Sequence, residues 1–292
     1  MYPHADIGKD LAMTSNQNTL QIPSLELNDG NRIPQLGFGV FEVAPEDTTD
    51  AVLQALDTGY RLIDTAAMYG NEAQVAEGLE RSGLDRSEVF LTTKVWNDDH
   101  GRDRTLRAFE GSLQQLGFDW IDLYLIHWPA PAQDRYVETW QAMCELRAEG
   151  RARSIGVSNF LPEHIERIID ATGVAPAVNQ VELHPRLAQR DLRAFHRDRR
   201  IVTEAWSPLG RGALLDDPVV GEVAEQTGRT PAQVLLRWST QLGCVVIPRS
   251  VRPARIEENA QIFDFELDQG QMAAIERLDR AERIGPDPAR FG

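Results

Sequence analysis

Short apolar runs alternate with amphipathic segments along most of the chain, and this alternation predicts the secondary structure. From about Leu20 onward, eight runs rich in apolar or β-branched residues predict strands. They occupy residues 35–41, 61–66, 89–96, 121–128, 152–158, 176–183, 201–207 and 244–250. Segments of helical period lie between them, and most end in glycine, which commonly follows a helix. Eight strand–helix units predict an α/β fold, the (β/α)8 TIM barrel.

Further elements are predicted outside the repeating units. Two extended pieces flank the turn Asn28-Asp29-Gly30-Asn31 and predict an N-terminal β-hairpin. Extra helices are expected after the seventh strand, at 217–228, and after the eighth, at 267–279. Residues 1–19 are interpreted as a flexible tail and residues 20–292 as a single barrel domain, since no linker or change in composition interrupts them.

An open doubly wound sheet is the alternative architecture. That fold calls for a glycine-rich phosphate turn after its first strand. Gly37 and Gly39 match the first two glycines of this fingerprint, but Glu42 stands in place of the third. The barrel is therefore the favoured prediction.

Composition narrows the class of partner. The share of hydrophobic residues is 42% and that of charged residues 26%, as in an ordinary globular protein. A net charge of -15 and a pI near 4.9 disfavour nucleic acid and anionic membranes, which this field would repel. The two cysteines are too few for a disulfide framework and suggest a reducing cytoplasm. No apolar run is long enough to cross a bilayer, and the first residues lack a signal-peptide core.

Polar residues interrupt three consecutive predicted strands near their ends. Asp64, Lys94 and His127 are each compatible with facing the barrel mouth, where active sites of this fold lie. Lys94 is unusual because every other basic residue after Lys9 is arginine. Tyr69 follows Asp64 closely enough to fold back over the pair. A lysine ammonium beside the Tyr69 hydroxyl would lower its pKa from about 10 and make it a better proton donor.

Other interpretations of these residues remain open. Asp64 and Lys94 can form a purely structural ion pair. Lys94 can also be a Schiff-base nucleophile of a lyase, although a neighbouring Asp64 opposes this by keeping the lysine protonated. The remaining histidines have no ligand-like spacing to acidic residues or cysteines, so no metal site is expected.

Several motifs together resemble the aldo-keto reductase family. They are DTAAMYGNE at 64–72, TKVWN at 93–97, LYLIHWP at 123–129 and IPRSV at 247–251. The resemblance extends over residues 20–292 with family order and spacing, and is closest to prokaryotic members that include the 2,5-diketo-D-gluconic acid reductases. It implies a barrel that reduces aldehydes or ketones with NADPH, with Tyr69 as general acid. In this scheme Asp64 and Lys94 tune the tyrosine, and His127 positions the carbonyl group.

The resemblance also implies binding residues. Ser158, Asn159 and Gln180 match the residues that hold the nicotinamide carboxamide, and Trp206 would stack on the ring. The other cofactor residues it implies are Ser207, Leu209, Arg249, Ser250, Val251, Arg252, Arg255, Glu258 and Asn259. Three of these are arginines near a predicted helix start, a suitable site for the 2′-phosphate of NADPH, although they can also be simply solvated.

The substrate pocket is predicted to be lined by Phe41, Trp96 and Trp128. The segment after the last helix is short for the family, so a more open pocket than in longer members is expected. The substrate is a small carbonyl compound, with keto sugars, methylglyoxal-like aldehydes, β-keto esters and aromatic aldehydes all compatible. The resemblance leans to a monomer. A non-catalytic subunit that binds NADPH and serves a partner protein is the remaining alternative.

Overall fold

The structure, a computed structural model, describes residues 20–292. The tail predicted at 1–19 lies outside these residues. Strands β1 (Ser24–Glu26) and β2 (Arg32–Pro34) form an antiparallel hairpin in which Leu25 faces Ile33. Gly30 in its turn has a φ of 89°, a left-handed conformation that glycine adopts without steric cost. The predicted N-terminal hairpin is confirmed.

Eight parallel strands follow, each paired with the next in chain order. They are β3 (Phe38–Gly39), β4 (Leu62–Asp64), β5 (Phe90–Val95), β6 (Ile121–Ile126), β7 (Ala152–Ser158), β8 (Val178–Glu182), β9 (Val202–Trp206) and β10 (Val245–Val246). The two ends of the sheet also meet, because the amide of Gly37 donates to the carbonyl of Val246 at 2.8 Å and that of Gly39 to Pro248 at 3.2 Å. The sheet therefore closes into the predicted barrel, and the open doubly wound alternative is wrong.

Ten α-helices are found in residues 20–292. They are α1 (Pro45–Thr58), α2 (Glu72–Ser82), α3 (Arg102–Leu116), α4 (Tyr136–Ala148), α5 (Pro162–Thr172), α6 (Arg190–Asp198), α7 (Pro218–Thr227), α8 (Pro231–Gln241), α9 (Pro253–Ala260) and α10 (Gln269–Glu276). Helices α7 and α10 are the two additional helices that the sequence predicted. In 20–292 none is long and apolar enough to span a membrane.

The apolar core has two parts. The larger part lies between the strands and the surrounding helices and includes the fully buried Trp140 and Trp238. The smaller part fills the barrel interior, where Leu27 and Ile33 of the hairpin region join inward-facing strand residues such as Leu62 and Leu125. The hairpin thus closes the amino-terminal end of the barrel, which leaves the carboxyl ends of the strands for a functional site.

The polar residues lie on the same strand faces as the inner core, because side chains alternate between the two faces of a strand. On β4, Leu62 of the inner core is followed two positions later by Asp64, and beyond β6 His127 continues the face of Leu123 and Leu125. Gly156 on β7 allows the strands to approach closely, since a Cβ atom there would lie 2.6 Å from the carbonyl oxygen of Val178. The polar residues therefore lie directly above packed apolar side chains.

Candidate active site

Lys94 lies at the centre of the polar cluster with no exposed side-chain surface. Its ammonium donates to Asp64 Oδ1 at 2.6 Å, to the carbonyl oxygen of Thr65 at 2.8 Å and to the Tyr69 hydroxyl at 3.3 Å. A lysine ammonium has three donor hydrogens, so each one has an acceptor. The lysine of β5 is thus paired with the aspartate of the adjacent strand and aimed at the tyrosine.

Tyr69 is the last residue of a short 3-10 turn, Ala67–Tyr69, that follows β4. The turn ends at Gly70, whose φ of 66° is left-handed. The Tyr69 ring is half-buried and packs 5.0 Å from the ring of Phe41 and 5.6 Å from that of His127, measured between centroids. Because its oxygen accepts from Lys94, its own O–H remains available to donate to an acceptor in the cleft.

Burial and charge act in opposite directions on the Tyr69 hydroxyl. Burial raises its pKa to about 12, and the positive charge of Lys94 opposes this rise. The expectation that Lys94 brings the pKa below its ordinary value is therefore wrong for the net result, although the effect of the lysine has the expected direction. Tyr69 is a protonated donor throughout the physiological range.

The charge state of Lys94 follows from a similar competition. Burial lowers the pKa of the ammonium and is the largest single influence, but attraction to Asp64, Tyr69 and Glu204 and the hydrogen bond to Asp64 together outweigh it. The net pKa lies above the ordinary value. Lys94 is therefore a cation. A Schiff-base nucleophile must be an uncharged amine, so this environment disfavours the lyase interpretation.

His127 is buried beside the same cation. Burial, and then repulsion by Lys94, hold the pKa of its imidazole well below the ordinary value, so the ring is neutral at pH 7. Its ring lies 5.1 Å from that of Trp96 in an edge-to-face arrangement. A neutral imidazole has one N–H donor and one acceptor nitrogen, which suits hydrogen bonding to an uncharged carbonyl oxygen.

A second buried carboxyl group, Glu204 on β9, lies beneath the cluster. Gln180 connects it to Asp64, because the Gln180 Nε2 donates to Asp64 Oδ2 at 2.7 Å and to Glu204 Oε2 at 3.0 Å. Burial, reinforced by the charge of Asp64, raises the pKa of Glu204 to about 8. Sequence analysis missed this residue. The available signal was a glutamate inside the apolar run at 201–207.

A cleft of about 600 Å³ runs across the carboxyl end of the barrel. Lys94 lies behind it, and the cleft wall contains most of the residues that the sequence singled out. Those are Asp64, Tyr69, His127, Ser158, Asn159, Gln180, Trp206, Ser207, Leu209, Arg249, Arg255, Phe41, Trp96 and Trp128. The structure therefore brings most of the predicted catalytic, cofactor and pocket residues together around one cavity.

The residues expected around a nicotinamide form a connected network. Asn159, with a left-handed φ of 61°, donates from Nδ2 to the carbonyl oxygen of His127 and to Ser158 Oγ, each at 3.0 Å. Its Oδ1 accepts from the indole nitrogen of Trp206 at 2.8 Å. Since the amide nitrogen of Gln180 is engaged below, its amide oxygen is the group left to accept from a ligand. This arrangement offers an acceptor to the NH2 group of a carboxamide.

Basic side chains also line the cleft. Helix α9 starts with Pro253, has no acidic residue in its first turn and presents Arg255 to the cleft. Arg249 donates to the carbonyl oxygen of Glu42 at 3.1 Å, and the Glu42 carboxylate also lies 3.7 Å from Arg211. A helix start beside arginines suits a phosphate group.

Five of the predicted cofactor residues lie outside the cleft wall. Val251 and Arg252 are exposed, and the half-buried Ser250 accepts from the Arg252 amide at 3.1 Å. Glu258 accepts from the Thr230 hydroxyl at 2.8 Å, and Asn259 is buried. Their role toward a cofactor stays a prediction.

The C-terminal segment also lines the cleft, which sequence analysis did not expect. Gly285, Pro286 and Phe291 are part of its wall. The Phe291 ring lies 4.6 Å from that of Trp128 and 6.4 Å from that of Trp96. Even this short segment thus reaches the aromatic residues of the pocket, and a pocket more open than in longer family members stays a prediction.

A second cavity, of about 640 Å³, lies beside the hairpin at the opposite end of the barrel. Among residues 20–292 its wall includes Arg32, Arg61 and Arg153 but no tyrosine, lysine or histidine. Size therefore does not identify the active site, whereas the grouping of proton-donating residues does. Within 20–292 there is no cluster of three or more histidine, cysteine or acidic residues arranged to hold a metal ion.

Residues 35–280 match the model of the aldo/keto reductase family. The chain belongs to this family and is an oxidoreductase, as the sequence motifs predicted. It is 57% identical to a protein of a Mycobacterium species named aldo-keto reductase, over 92% of this chain and 98% of the relative. It is 49% identical to the methylglyoxal reductase DkgA of Escherichia coli, with the same coverage of both chains.

Solved structures agree with this assignment. A variant of Gox0644 crystallised in complex with NADPH superposes with a TM-score of 0.89 and 52% identity, covering 92% of this chain and 98% of that one. An aldo/keto reductase from Brucella melitensis gives a TM-score of 0.86 with 51% identity, over 89% of this chain and 100% of that one.

Proposed function

We propose that the protein reduces small aldehydes and ketones to alcohols with NADPH, which becomes NADP+. The observation that carries this proposal is the contact of 3.3 Å between the buried Lys94 ammonium and the Tyr69 hydroxyl, at the wall of a cleft that also contains Arg255. A proton donor paired with a fixed cation is what carbonyl reduction requires, because negative charge develops on the carbonyl oxygen.

The chain's own residues account for the proton transfer. When bound, NADPH supplies the hydride that adds to the carbonyl carbon. Tyr69 donates its proton to the carbonyl oxygen and becomes a phenolate, which the Lys94 ammonium stabilises. Asp64 keeps that ammonium charged and oriented through its contact of 2.6 Å. His127, as a neutral imidazole, donates a hydrogen bond that orients the carbonyl oxygen toward Tyr69.

Other residues of the cleft bind and orient the cofactor in this proposal. Ser158, Asn159 and the Gln180 amide oxygen would hold the carboxamide, and Trp206 would cover one ring face. Arg255 at the start of α9 would contact the 2′-phosphate, which distinguishes NADPH from NADH. The NADPH complex of the similar Gox0644 variant supports this choice.

The substrate class is argued from the pocket and the relatives. Phe41, Trp96 and Trp128 provide apolar walls next to the proposed proton donor. A relative of 49% identity is named methylglyoxal reductase, so methylglyoxal is the first substrate to test. Keto sugars, β-keto esters and aromatic aldehydes are further members of the same carbonyl class.

We further propose a monomeric cytoplasmic enzyme in which residues 20–292 form one barrel domain. The closed sheet, with one part of the apolar core inside it and the other between its strands and the surrounding helices, supports a single domain. The charge of -15 disfavours nucleic acid and anionic membranes as partners. Size-exclusion chromatography with light scattering tests the oligomeric state directly.

A substrate panel tests the function. The purified protein is mixed with NADPH and methylglyoxal, a keto sugar, a β-keto ester and an aromatic aldehyde, and NADPH absorbance is followed, with NADH in parallel. We expect turnover with NADPH and much weaker turnover with NADH. NADPH binding without turnover of any carbonyl compound would instead support the non-catalytic regulatory subunit.

A further inference from the structure

Glu182, at the carboxyl end of β8, is fully buried and has no part in the mechanism above. Its Oε1 accepts from the backbone amide of Ile284 at 2.6 Å, and its Oε2 accepts from that of Gly285 at 2.9 Å. His184 Nε2 lies 3.0 Å from the same carboxylate and an Arg283 nitrogen lies 3.5 Å from it. A barrel strand is thus joined to the C-terminal segment through one side chain.

The charge state of Glu182 suits it to accept these hydrogen bonds. Burial alone raises its pKa, but the hydrogen bonds from His184, Ile284 and Gly285 outweigh burial, and the net pKa lies below the ordinary value. Glu182 is therefore ionised at neutral pH and offers both oxygens as acceptors. Hydrogen bonds to a charged acceptor are stronger than those between neutral groups.

The same contact places the C-terminal segment against the cleft. A Cβ atom added to Gly285 would lie 2.4 Å from the Trp206 ring and 3.0 Å from Glu182 Oε2, so the backbone fits closely between the two. The chain then continues through a turn, in which the Phe291 amide donates to the Asp287 carbonyl at 3.0 Å, and reaches Trp128. We call residues 283–292 the C-terminal strap.

We propose that Glu182 is a positioning residue that fastens the C-terminal strap over the cleft and thereby sets the affinity for carbonyl compounds carrying an aromatic group. The inference rests on the proposed function. Phe291 supplies an aromatic wall beside Trp96 and Trp128, and it stays there only while the strap is fastened. A substrate with a methyl group in place of the aromatic ring does not need this wall.

The variant Glu182→Gln tests the fastening itself. Glutamine has nearly the same shape, but one oxygen acceptor is replaced by an NH2 group, which would face a backbone N–H donor. We expect tryptic cleavage after Arg283, followed by mass spectrometry, to be roughly ten-fold faster than in the unmodified protein, because local opening becomes easier. The matched control is Glu266→Gln, since Glu266 is on the surface, lies outside the strap and pairs among residues 20–292 with Arg237. Its cleavage rate should stay unchanged.

Kinetics with two related substrates test the specificity. Methylglyoxal and phenylglyoxal share the reacting dicarbonyl group and differ in a methyl or phenyl substituent. For Glu182→Gln with NADPH, we expect the KM of phenylglyoxal to rise about ten-fold while the KM and kcat of methylglyoxal change less than about two-fold, as expected for lost ground-state contacts. The variant Phe291→Ala should show the same KM pattern without faster cleavage after Arg283.

A second route loosens the strap if Glu182→Gln fails to fold. Gly285→Ala leaves β8 intact and places a Cβ atom 2.4 Å from the Trp206 ring, so it should push the strap outward and show the same faster cleavage and a raised KM of phenylglyoxal. Unchanged cleavage, or faster cleavage with an unchanged ratio of the two KM values, would overturn the proposal. Absence of carbonyl turnover in the unmodified protein would refute the proposed function, and the cleavage result would still decide whether Glu182 fastens the strap.

Discussion

Replacing Lys94 with methionine removes the charge at the centre of the site while keeping a side chain of similar length. Three hydrogen bonds disappear, to Asp64, Thr65 and Tyr69. Asp64 keeps its contact of 2.7 Å with Gln180 but loses its only cationic partner among the described residues, at a position that is 2% exposed. The change therefore leaves a buried carboxylate without its counter-ion.

The size of the effect follows from this burial. Removing one partner of a buried ion pair costs about 3–5 kcal/mol of unfolding free energy, because the remaining charge stays desolvated. For a chain of this size each kcal/mol shifts Tm by about 2–4 °C, so we expect Lys94→Met to lower Tm by about 6–20 °C. Reduction should also be lost, since the phenolate formed on Tyr69 no longer has a stabilising cation.

Thermal unfolding followed by circular dichroism measures the first effect, and NADPH oxidation with methylglyoxal measures the second. Lys94→Arg is the control, because it keeps the charge but replaces a compact ammonium with a larger planar guanidinium. We expect Lys94→Arg to retain more stability than Lys94→Met and yet to reduce methylglyoxal poorly. A Tm loss below about 2 °C in Lys94→Met would refute the reasoning, since it would mean that Asp64 does not depend on this cation.

Three further predictions concern the cofactor and the titrating groups. Arg255→Ala should raise the Kd of NADPH at least about ten-fold with little change for NADH, as expected for loss of a charge-assisted hydrogen bond to phosphate; equal losses measured by fluorescence titration would contradict a contact with the 2′-phosphate. Glu204 has a pKa raised to about 8 in the folded protein, so its contribution to stability is full below the unfolded pKa and is lost as pH rises through the folded value, at about 1.4 kcal/mol per unit. The Tm of the unmodified protein should therefore fall more between about pH 6 and pH 8.5 than that of Glu204→Gln, and parallel curves would show that Glu204 does not titrate there. Because His127 is neutral, it should not titrate near its ordinary pKa of about 6.5, and the pH profile of kcat/KM should show no inflection there that is due to His127. An inflection near that pH in the unmodified protein that is absent in His127→Asn would show that the imidazole gains a proton under assay conditions.

The barrel was predictable from the sequence because its units repeat. Each strand run is short, most helices are bounded by glycine or proline, and the spacing leaves few alternatives. The positions of Asp64, Lys94 and His127 followed from the rule that strand ends meet on one face, combined with strand alternation. The distance between Lys94 and Tyr69 could not be predicted from the sequence, because the 3-10 turn that brings Tyr69 to Lys94 has no strong local signal.

The features that sequence analysis missed depend on contacts between distant segments. Glu204 looks like a polar interruption of a strand until Gln180 is seen to connect it with Asp64. The C-terminal strap has no helical or strand periodicity, and its place over the cleft depends on the carboxylate of Glu182, about a hundred residues earlier in the chain. The net pKa of Tyr69 was misjudged for a related reason, since the sequence indicates the neighbouring charge but not the extent of burial.

Tyr69→Phe tests the central claim most directly, because it removes a single oxygen atom and keeps the ring packed against Phe41 and His127. Single-turnover reduction of methylglyoxal is measured together with NADPH binding by fluorescence titration. The account predicts that reduction falls by at least about a thousand-fold while the Kd of NADPH stays within about two-fold, as expected for loss of a general acid that acts only in the transition state. Substantial reduction by the variant would contradict Tyr69 as the proton donor.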